Sequence, residues 1–94
     1  MKVDFNKCRV FDGKNFIYLS TTENSILKLL YDNKDKILTY EEIAKSIYPG
    51  IYDDQMKITI RKHISNLKKK IGKDIKIRNV RPTGYIIEED ILWA

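Results

Sequence analysis

The chain has 94 residues, of which 18 are Lys or Arg and 13 are Asp or Glu, and its formal net charge is +5. Its 43% hydrophobic and 11% aromatic content exclude a disordered basic tail and indicate a single folded domain, 1–94, with a modest core. One cysteine, Cys8, excludes an internal disulfide, and one histidine, His63, leaves no usual zinc ligand set. We therefore expect no metal, no cofactor and no small-molecule substrate.

Enzymatic and membrane functions are also disfavoured. Cys8 and His63 fall in different predicted elements, and no Ser/His/Asp or Cys/His spacing supports a hydrolase or a transferase. The longest apolar runs are only a few residues, and the first ten residues lack an apolar core of signal-peptide length. We expect a cytoplasmic protein that is not an enzyme.

The first part of the chain, about 2–19, is predicted to form a small antiparallel sheet. Asp12-Gly13 indicates a hairpin, because glycine permits the positive φ of a tight turn. The apolar residues that sit among polar neighbours around this turn are Val3, Phe5, Cys8, Val10, Phe11, Phe16, Tyr18 and Leu19.

Two helix starts follow, each marked by a capping box, in which a Ser or Thr precedes a Glu by three residues. The two pairs are Ser20 with Glu23 and Thr39 with Glu42. They predict helices over about 21–32 and about 40–48, and Pro49-Gly50 stops the second.

A third helix is predicted over about 54–71, and Asp53-Asp54 supplies its N-terminal cap. At 100° per residue, one narrow apolar stripe contains Ile60, Ile64, Leu67 and Ile71. The residues that point the opposite way are Lys62, Ser65, Asn66 and Lys69. This helix therefore has one buried face and one presented face.

The charge of the chain is strongly asymmetric. The segment from Lys57 to Arg81 carries ten Lys or Arg against one acid, Asp74, so its net charge is +9 and that of the remainder is −4. A polyanion-binding surface needs such asymmetry, because neutralising phosphates releases condensed counterions. The absence of acidic residues between Lys57 and Ile71 favours a binding face over a merely solubilising one.

A basic β-hairpin is predicted over about 75–88. The stretch IKIRNVRPTGYII alternates apolar and polar residues, breaks at Pro82-Thr83-Gly84, and carries Lys76, Arg78 and Arg81. Three helices followed by a basic hairpin is the order of a winged helix-turn-helix, an α+β fold here preceded by the N-terminal sheet. In that fold the third helix enters the major groove, and the hairpin, or wing, reaches the backbone or the minor groove.

Four pieces of the chain, in order, are LSTTENSILKLL, LTYEEIAKSIY, HISNLKKKIG and NVRPTGYII. In these pieces and their separations the chain resembles the C-terminal DNA-binding (effector) domain of OmpR/PhoB-type response regulators, over nearly its whole length. The resemblance implies sequence-specific binding of double-stranded promoter DNA in transcription regulation, in the setting of a two-component system. It also implies a four-stranded antiparallel sheet before the helices.

The resemblance implies roles for individual residues. The base-reading positions are Arg61, Lys62, Ser65 and Asn66. The backbone-contacting positions are Thr59, His63, Lys68 and Lys69, with Lys70 beside them. The wing positions are Arg78, Arg81 and Thr83. His63 lies near the core edge, where packing is an alternative role, and Lys68 flanks the apolar stripe and could lie along it.

Two positions depart from the family pattern. Asn66 and Lys68 stand where the family commonly has arginine, so bidentate contacts to guanine are less available, and Asn66 suits adenine better. We therefore hypothesise a target that leans towards A·T. In the wing, Pro82 replaces a usual glycine, which stiffens the turn and removes one backbone N–H.

The resemblance also implies protein partners. Family members typically meet RNA polymerase through the loop between helices two and three, which makes Ile51 and Tyr52 candidate contacts, although loop anchoring explains them equally well. It further implies paired copies on direct-repeat half-sites and, in most members, a receiver domain, so this chain is either an excised effector domain or a stand-alone regulator. Leu92 and Trp93 are expected to pack back on the domain or to contact a partner.

A rival interpretation from another class is a winged helix that serves protein assembly. Its basic face would then meet an acidic protein surface rather than duplex DNA. Salt-dependent binding to a duplex discriminates between the two, because phosphate neutralisation has a characteristic salt slope.

Overall fold

The computed structural model describes residues 2–50, 52–72 and 75–88. The elements within these residues are β1 (Lys2–Asp4), β2 (Arg9–Phe11), β3 (Phe16–Tyr18), α1 (Thr21–Asp32), β4 (Leu38–Thr39), α2 (Tyr40–Ile47), α3 (Asp54–Ile71), β5 (Ile77–Val80) and β6 (Gly84–Ile87). The predicted α+β winged helix-turn-helix is confirmed. The predicted role of Leu92 and Trp93 lies outside the described residues.

The N-terminal sheet is antiparallel and, within the described residues, has three strands in the order β1-β2-β3 rather than the four that the resemblance implied. The hairpin at Asp12-Gly13 is confirmed. The Asp12 carboxylate accepts hydrogen bonds from the backbone N–H groups of Lys14 and Asn15, each at 2.8 Å, and Gly13 has a φ of +104°. These hydrogen bonds lower the pKa of Asp12, and the bond from Asn15 contributes most to the change.

The first sheet buries one face. Val10 is fully buried and pairs across the strands with Val3 and Ile17. Phe16 and Tyr18, although apolar in the sequence pattern, point to the opposite face and are exposed. Strand alternation explains this, because residues two apart share a face, and the half-buried Ile17 between them lies on the opposite face, where it pairs with Val10.

The predicted helix caps are confirmed. Ser20 and Thr39 each accept a bond from the backbone of the Glu three residues later, and that Glu accepts one in return. The Asp53 carboxylate accepts from the Met56 N–H at 3.0 Å and caps α3. The two boxes and the Asp53 cap satisfy backbone donors that would otherwise be unpaired, so the three helices begin at defined residues.

The core lies between the three helices and the two sheets, and each pair of helices is in contact. The apolar stripe of α3 is buried as predicted, at no more than 1% exposure for Ile60, Ile64, Leu67 and Ile71. Each such side chain stabilises the fold by about 1.5–3 kcal/mol relative to exposure. Burial of this stripe sets the rotation of α3 and therefore which residues it presents.

The wing belongs to a second antiparallel sheet of three strands in the order β4-β6-β5, and the strand β4 has no counterpart in the sequence predictions. Leu38 pairs with Tyr85, and Thr39 pairs with Gly84. A Cβ at Gly84 would lie 1.8 Å from the Leu38 carbonyl oxygen, so only glycine allows the two strands to approach. The wing is therefore tied to the segment that begins α2.

Candidate nucleic-acid interface

The middle of the presented face of α3 consists of exposed side chains. Along the helix these are Ile58, Lys62, Ser65, Asn66 and Lys69. Four of them were predicted, and Ile58, which is 57% exposed, was not. Its signal in the sequence is spacing, because it precedes Lys62 by four residues and so lies on the same helical face.

One edge of α3 faces the wing across a cleft of about 290 Å³. The residues that line it are Arg61, Ile64, Ser65, Lys68, Asn79, Arg81 and Tyr85. Lys68 is exposed and lines this cleft, and its side chain does not lie buried along the apolar stripe. Asn79 was not predicted as a site residue. Its side-chain oxygen is buried and has no hydrogen-bond partner among the described residues.

The other edge of α3 is occupied by contacts within the protein. The His63 Nε2 lies 3.4 Å from the Tyr48 hydroxyl, and the Thr59 hydroxyl donates to the Gln55 carbonyl at 3.1 Å. His63 is half-buried and contacts Tyr48 at the edge of the core. This contact agrees with the packing role, which is one of the two roles predicted for His63.

Lys70 differs from its lysine neighbours. Its ammonium donates to the Glu23 carboxylate at 2.6 Å and to the Tyr18 carbonyl at 3.2 Å, and Glu23 is buried. Burial acts to raise the pKa of Glu23, but the bonds from Lys70 and Ser20 outweigh it and hold that pKa below its ordinary value. The ammonium of Lys70 is thus engaged with α1 and the first sheet.

The three predicted wing residues have different surroundings. Arg78 forms an ion pair with Glu88, so its guanidinium has a partner within the hairpin. Arg81, at the turn, is exposed and borders the cleft with α3. Thr83 is exposed, and its N–H closes the turn by donating to the Val80 carbonyl at 2.7 Å.

Some basic residues form ion pairs within the described chain, and others do not. Lys28, Lys45, Lys70 and Arg78 each pair with a carboxylate of the described chain. By contrast, no described carboxylate forms an ion pair with Lys57, Arg61, Lys62, Lys68, Lys69 or Arg81. These six side chains, which we call the open cations, all belong to α3 or the wing turn. Other basic residues also form no ion pair with a described carboxylate, namely Lys2, Lys7, Arg9, Lys14 and Lys36, but they are spread over the first sheet and the segment before β4. The largest group of such cations is therefore that of α3 and the wing turn.

The loop between α2 and α3 was the predicted polymerase contact. Tyr52 is half-buried and packs against the core, and its burial raises the pKa of its hydroxyl. Ile51 lies outside the described residues. Burial of Tyr52 agrees with the alternative of loop anchoring and leaves only part of its ring exposed.

Residues 2–50, 52–72 and 75–88 contain neither a metal-binding cluster nor a membrane-spanning helix. No group of three or more His, Cys, Asp or Glu in these ranges could hold a metal ion. None of their helices is long and apolar enough to cross a membrane.

Three helices, the third carrying most of the open cations beside a β-hairpin, define a winged helix-turn-helix of the nucleic-acid-binding class. The chain belongs to the family described as "Transcriptional regulatory protein, C terminal", which matches residues 13–87. The resemblance to OmpR/PhoB-type response regulators is thereby confirmed.

Individual relatives agree with this assignment. The chain is 33% identical over 72 residues to the transcriptional regulatory protein KdpE of Staphylococcus aureus. This match covers 77% of the present chain and 31% of KdpE. It is 37% identical over 73 residues to the regulatory protein VanRB of Enterococcus faecalis, covering 78% of this chain and 32% of that protein. The chain thus spans about a third of the length of these relatives.

A solved structure supports the fold as well as the family. The DNA-binding domain of Klebsiella pneumoniae RstA, in complex with the RstA box, is similar with a TM-score of 0.72 and 26% identity. The alignment covers 85% of this chain and 82% of that one.

Proposed function

We propose that this chain binds specific sites in double-stranded promoter DNA and thereby regulates transcription, with α3 in the major groove and the wing turn on the adjacent backbone or minor groove. The observation that carries the proposal is the placement of the open cations on α3 and the wing turn, whereas several other basic side chains are paired. A major groove about 12 Å wide accepts a helix of about 10–12 Å diameter. The solved complex of the related RstA domain with its box supports the same ligand class.

The presented face of α3 is proposed to read bases. Lys62, Ser65 and Asn66 are exposed near its middle, and Arg61 borders it on the wing side. Asn66 can bond adenine through its amide, and Ile58 offers an apolar contact for the methyl group of thymine. Both contacts favour A·T pairs, so Ile58 supports the same A·T preference that we hypothesised from Asn66.

The flanks of α3 are proposed to contact the DNA backbone. Lys68 and Lys69 are exposed and form no ion pair within the described residues, and they extend the positive surface towards the C-terminal end of α3. Thr59 and His63 remain candidates at the opposite edge, each already engaged by one bond within the protein. We omit Lys70 from the backbone contacts, because a phosphate would have to compete with the buried Glu23 for its ammonium.

The setting of this activity is proposed from the relatives. They are regulatory proteins about three times as long as the present chain, so we propose that it acts as the effector part of a cytoplasmic regulator, paired on direct-repeat half-sites. Contact with RNA polymerase through the α2–α3 loop is a further proposal, with the exposed part of Tyr52 as its candidate residue.

A selection from random duplexes tests the function. The enriched site should be A·T-leaning, and affinity for it should fall with salt at a log-log slope of about −5, as expected for roughly six neutralised phosphates. Lys62→Ala or Asn66→Ala should each cost about 1–3 kcal/mol on that site and relax selectivity at one position. If no duplex is enriched or bound at low salt, the protein-assembly alternative is favoured instead.

A further inference from the structure

We propose that a small opening between α2, α3 and the wing turn is a seat for one DNA phosphate, and that Tyr40 is the positioning residue of that seat. The opening has a volume of about 150 Å³ and is lined by Tyr40, Lys57, Arg61, Arg81 and Pro82. The inference rests on the proposed DNA-binding function and adds to it a contact, Lys57, and a supporting residue, Tyr40.

Three cations meet at this opening from two separate elements. Lys57 and Arg61 are one helical turn apart on α3, and Arg81 comes from the wing turn. No carboxylate lines the opening, and none in the described residues forms an ion pair with any of the three. Because like charges so close together repel one another, an anion bound between them would relieve that repulsion.

The floor of the seat is aromatic. The Lys57 ammonium lies 4.9 Å from the centroid of the Tyr40 ring, within cation–π range. Tyr40 is only 6% exposed, and its ring packs edge-on against Tyr85 at 5.4 Å and 76°. The ring therefore holds Lys57 in place before DNA arrives, which reduces the side-chain entropy lost on binding.

Tyr85 connects this floor to the wing. Burial raises its pKa to about 12, and a hydrogen bond with Tyr40 adds to the effect, whereas the charges of Arg61 and Arg81 oppose it. The hydroxyl thus stays protonated at neutral pH, and no tyrosinate forms there to compete with an external anion.

The chemistry of the opening fits a phosphate better than a base edge. Its polar side chains are cationic donors, apart from one tyrosine hydroxyl, so it recognises negative charge and has little means to distinguish base pairs. It also lies on the wing side of α3 rather than at the middle of the presented face, where Lys62 and Asn66 lie.

The first test measures salt dependence by fluorescence anisotropy on the selected duplex. Lys57→Met should reduce the steepness of the log-log salt slope by about 1 and weaken binding by a similar factor on all sequences. Lys14→Met, in the hairpin of the first sheet, is the matched control and should leave the slope unchanged. An unchanged slope for Lys57→Met would overturn the inference, whereas wild-type protein that binds no duplex would overturn the proposed function itself.

The second test locates the phosphate. Single phosphates of the duplex are replaced in turn by neutral methylphosphonates, and one position should weaken wild-type binding by roughly tenfold. At that position the loss should be smaller in Lys57→Met, because one of the three cations that hold the phosphate is already gone. Equal losses in both proteins at every position would place Lys57 away from the backbone.

The role of Tyr40 is separated from its part in the core by two variants. Tyr40→Phe keeps the ring and should keep the wild-type salt slope. Tyr40→Leu removes the ring, and its salt slope should be less steep than that of wild type, by part of the reduction expected for Lys57→Met. Thermal unfolding monitors the fold of both variants. A slope for Tyr40→Leu equal to that of wild type, in protein that is folded at the assay temperature, would remove Tyr40 from the seat.

Discussion

The ammonium of Lys70 lies 2.6 Å from a carboxylate oxygen of Glu23, a residue 47 positions earlier in the chain. Glu23 is the second partner of the capping box that begins α1, and Lys70 is in the last turn of α3. A basic residue of the DNA-binding helix therefore helps to hold that helix against α1. Lys69, its neighbour in sequence, is exposed and has no such partner among the described residues, so the two adjacent lysines differ in their surroundings.

This difference predicts opposite phenotypes for two matched substitutions. Lys70→Met should lower the free energy of unfolding by about 1–2 kcal/mol, because it leaves the buried Glu23 without its cation, while the salt slope of DNA binding stays unchanged. Lys69→Met should reduce the steepness of that slope by about 1 and leave stability within about 0.5 kcal/mol of wild type. Urea unfolding and anisotropy titrations measure the two quantities, and a slope change confined to Lys70→Met would reverse our assignment.

The pH dependence of stability should report the same ion pair. The folded-state pKa of Glu23 lies below its ordinary value of 4.5, so its contribution is present above about pH 4.5 and is lost as the pH falls through the folded pKa. Glu23→Gln should cost about 1–2 kcal/mol at pH 7, and the difference from wild type should shrink below pH 4.5. Urea unfolding at several pH values checks this.

Glu42→Gln provides the control for that experiment. Glu42 completes an equivalent capping box, but it is exposed and forms no ion pair with a lysine of the described residues, so glutamine should replace it at smaller cost. A difference between Glu23→Gln and wild type that persists undiminished in acid would show that the ion pair is not its origin.

The exposed Ile58 predicts a contact to thymine. In the selected site, replacing a contacted thymine by deoxyuridine removes only the methyl group and should weaken wild-type binding by about 1 kcal/mol. Ile58→Ala should weaken binding to the thymine site by a similar amount and should no longer respond to deoxyuridine. If the loss from deoxyuridine is the same in Ile58→Ala as in wild type at every thymine, Ile58 contacts no thymine methyl group.

Gly84 should be intolerant of any side chain. Because a Cβ there would lie 1.8 Å from the Leu38 carbonyl oxygen, Gly84→Ala must separate β6 from β4 and should cost about 3 kcal/mol. Thr83→Ala, one residue earlier in the exposed turn, should stay within about 0.5 kcal/mol of wild type. Thermal unfolding compares them, and equal stabilities would mean that β4 is not held against the wing.

Local features were readable from the sequence because each depends on residues close together in the chain. The two capping boxes and Asp53 use side chains that reach backbone groups three residues away. Likewise, the apolar stripe from Ile60 to Ile71 follows from helical periodicity alone. The same periodicity predicted the exposed face of α3, although not the exposure of Ile58, because an apolar residue carries no charge to mark it as part of that face.

Other features depend on residues far apart, and periodicity carries no information about them. The two-residue strand β4 is too short to have a pattern, and it exists only because β6 lies beside it. In the first sheet, alternation identified candidate strands, but the burial of Val10 in the core decided which face was buried and left Phe16 outside.

The DNA-binding surface shows the same division. The sequence by itself determined that positive charge is concentrated between Lys57 and Arg81, because net charge is a sum over residues and needs no coordinates. Only the tertiary structure decided which of those charges are available, since an ion pair requires two groups to meet in space. It placed Glu23 against Lys70, brought Arg81 beside Arg61, and set Lys57 over the ring of Tyr40.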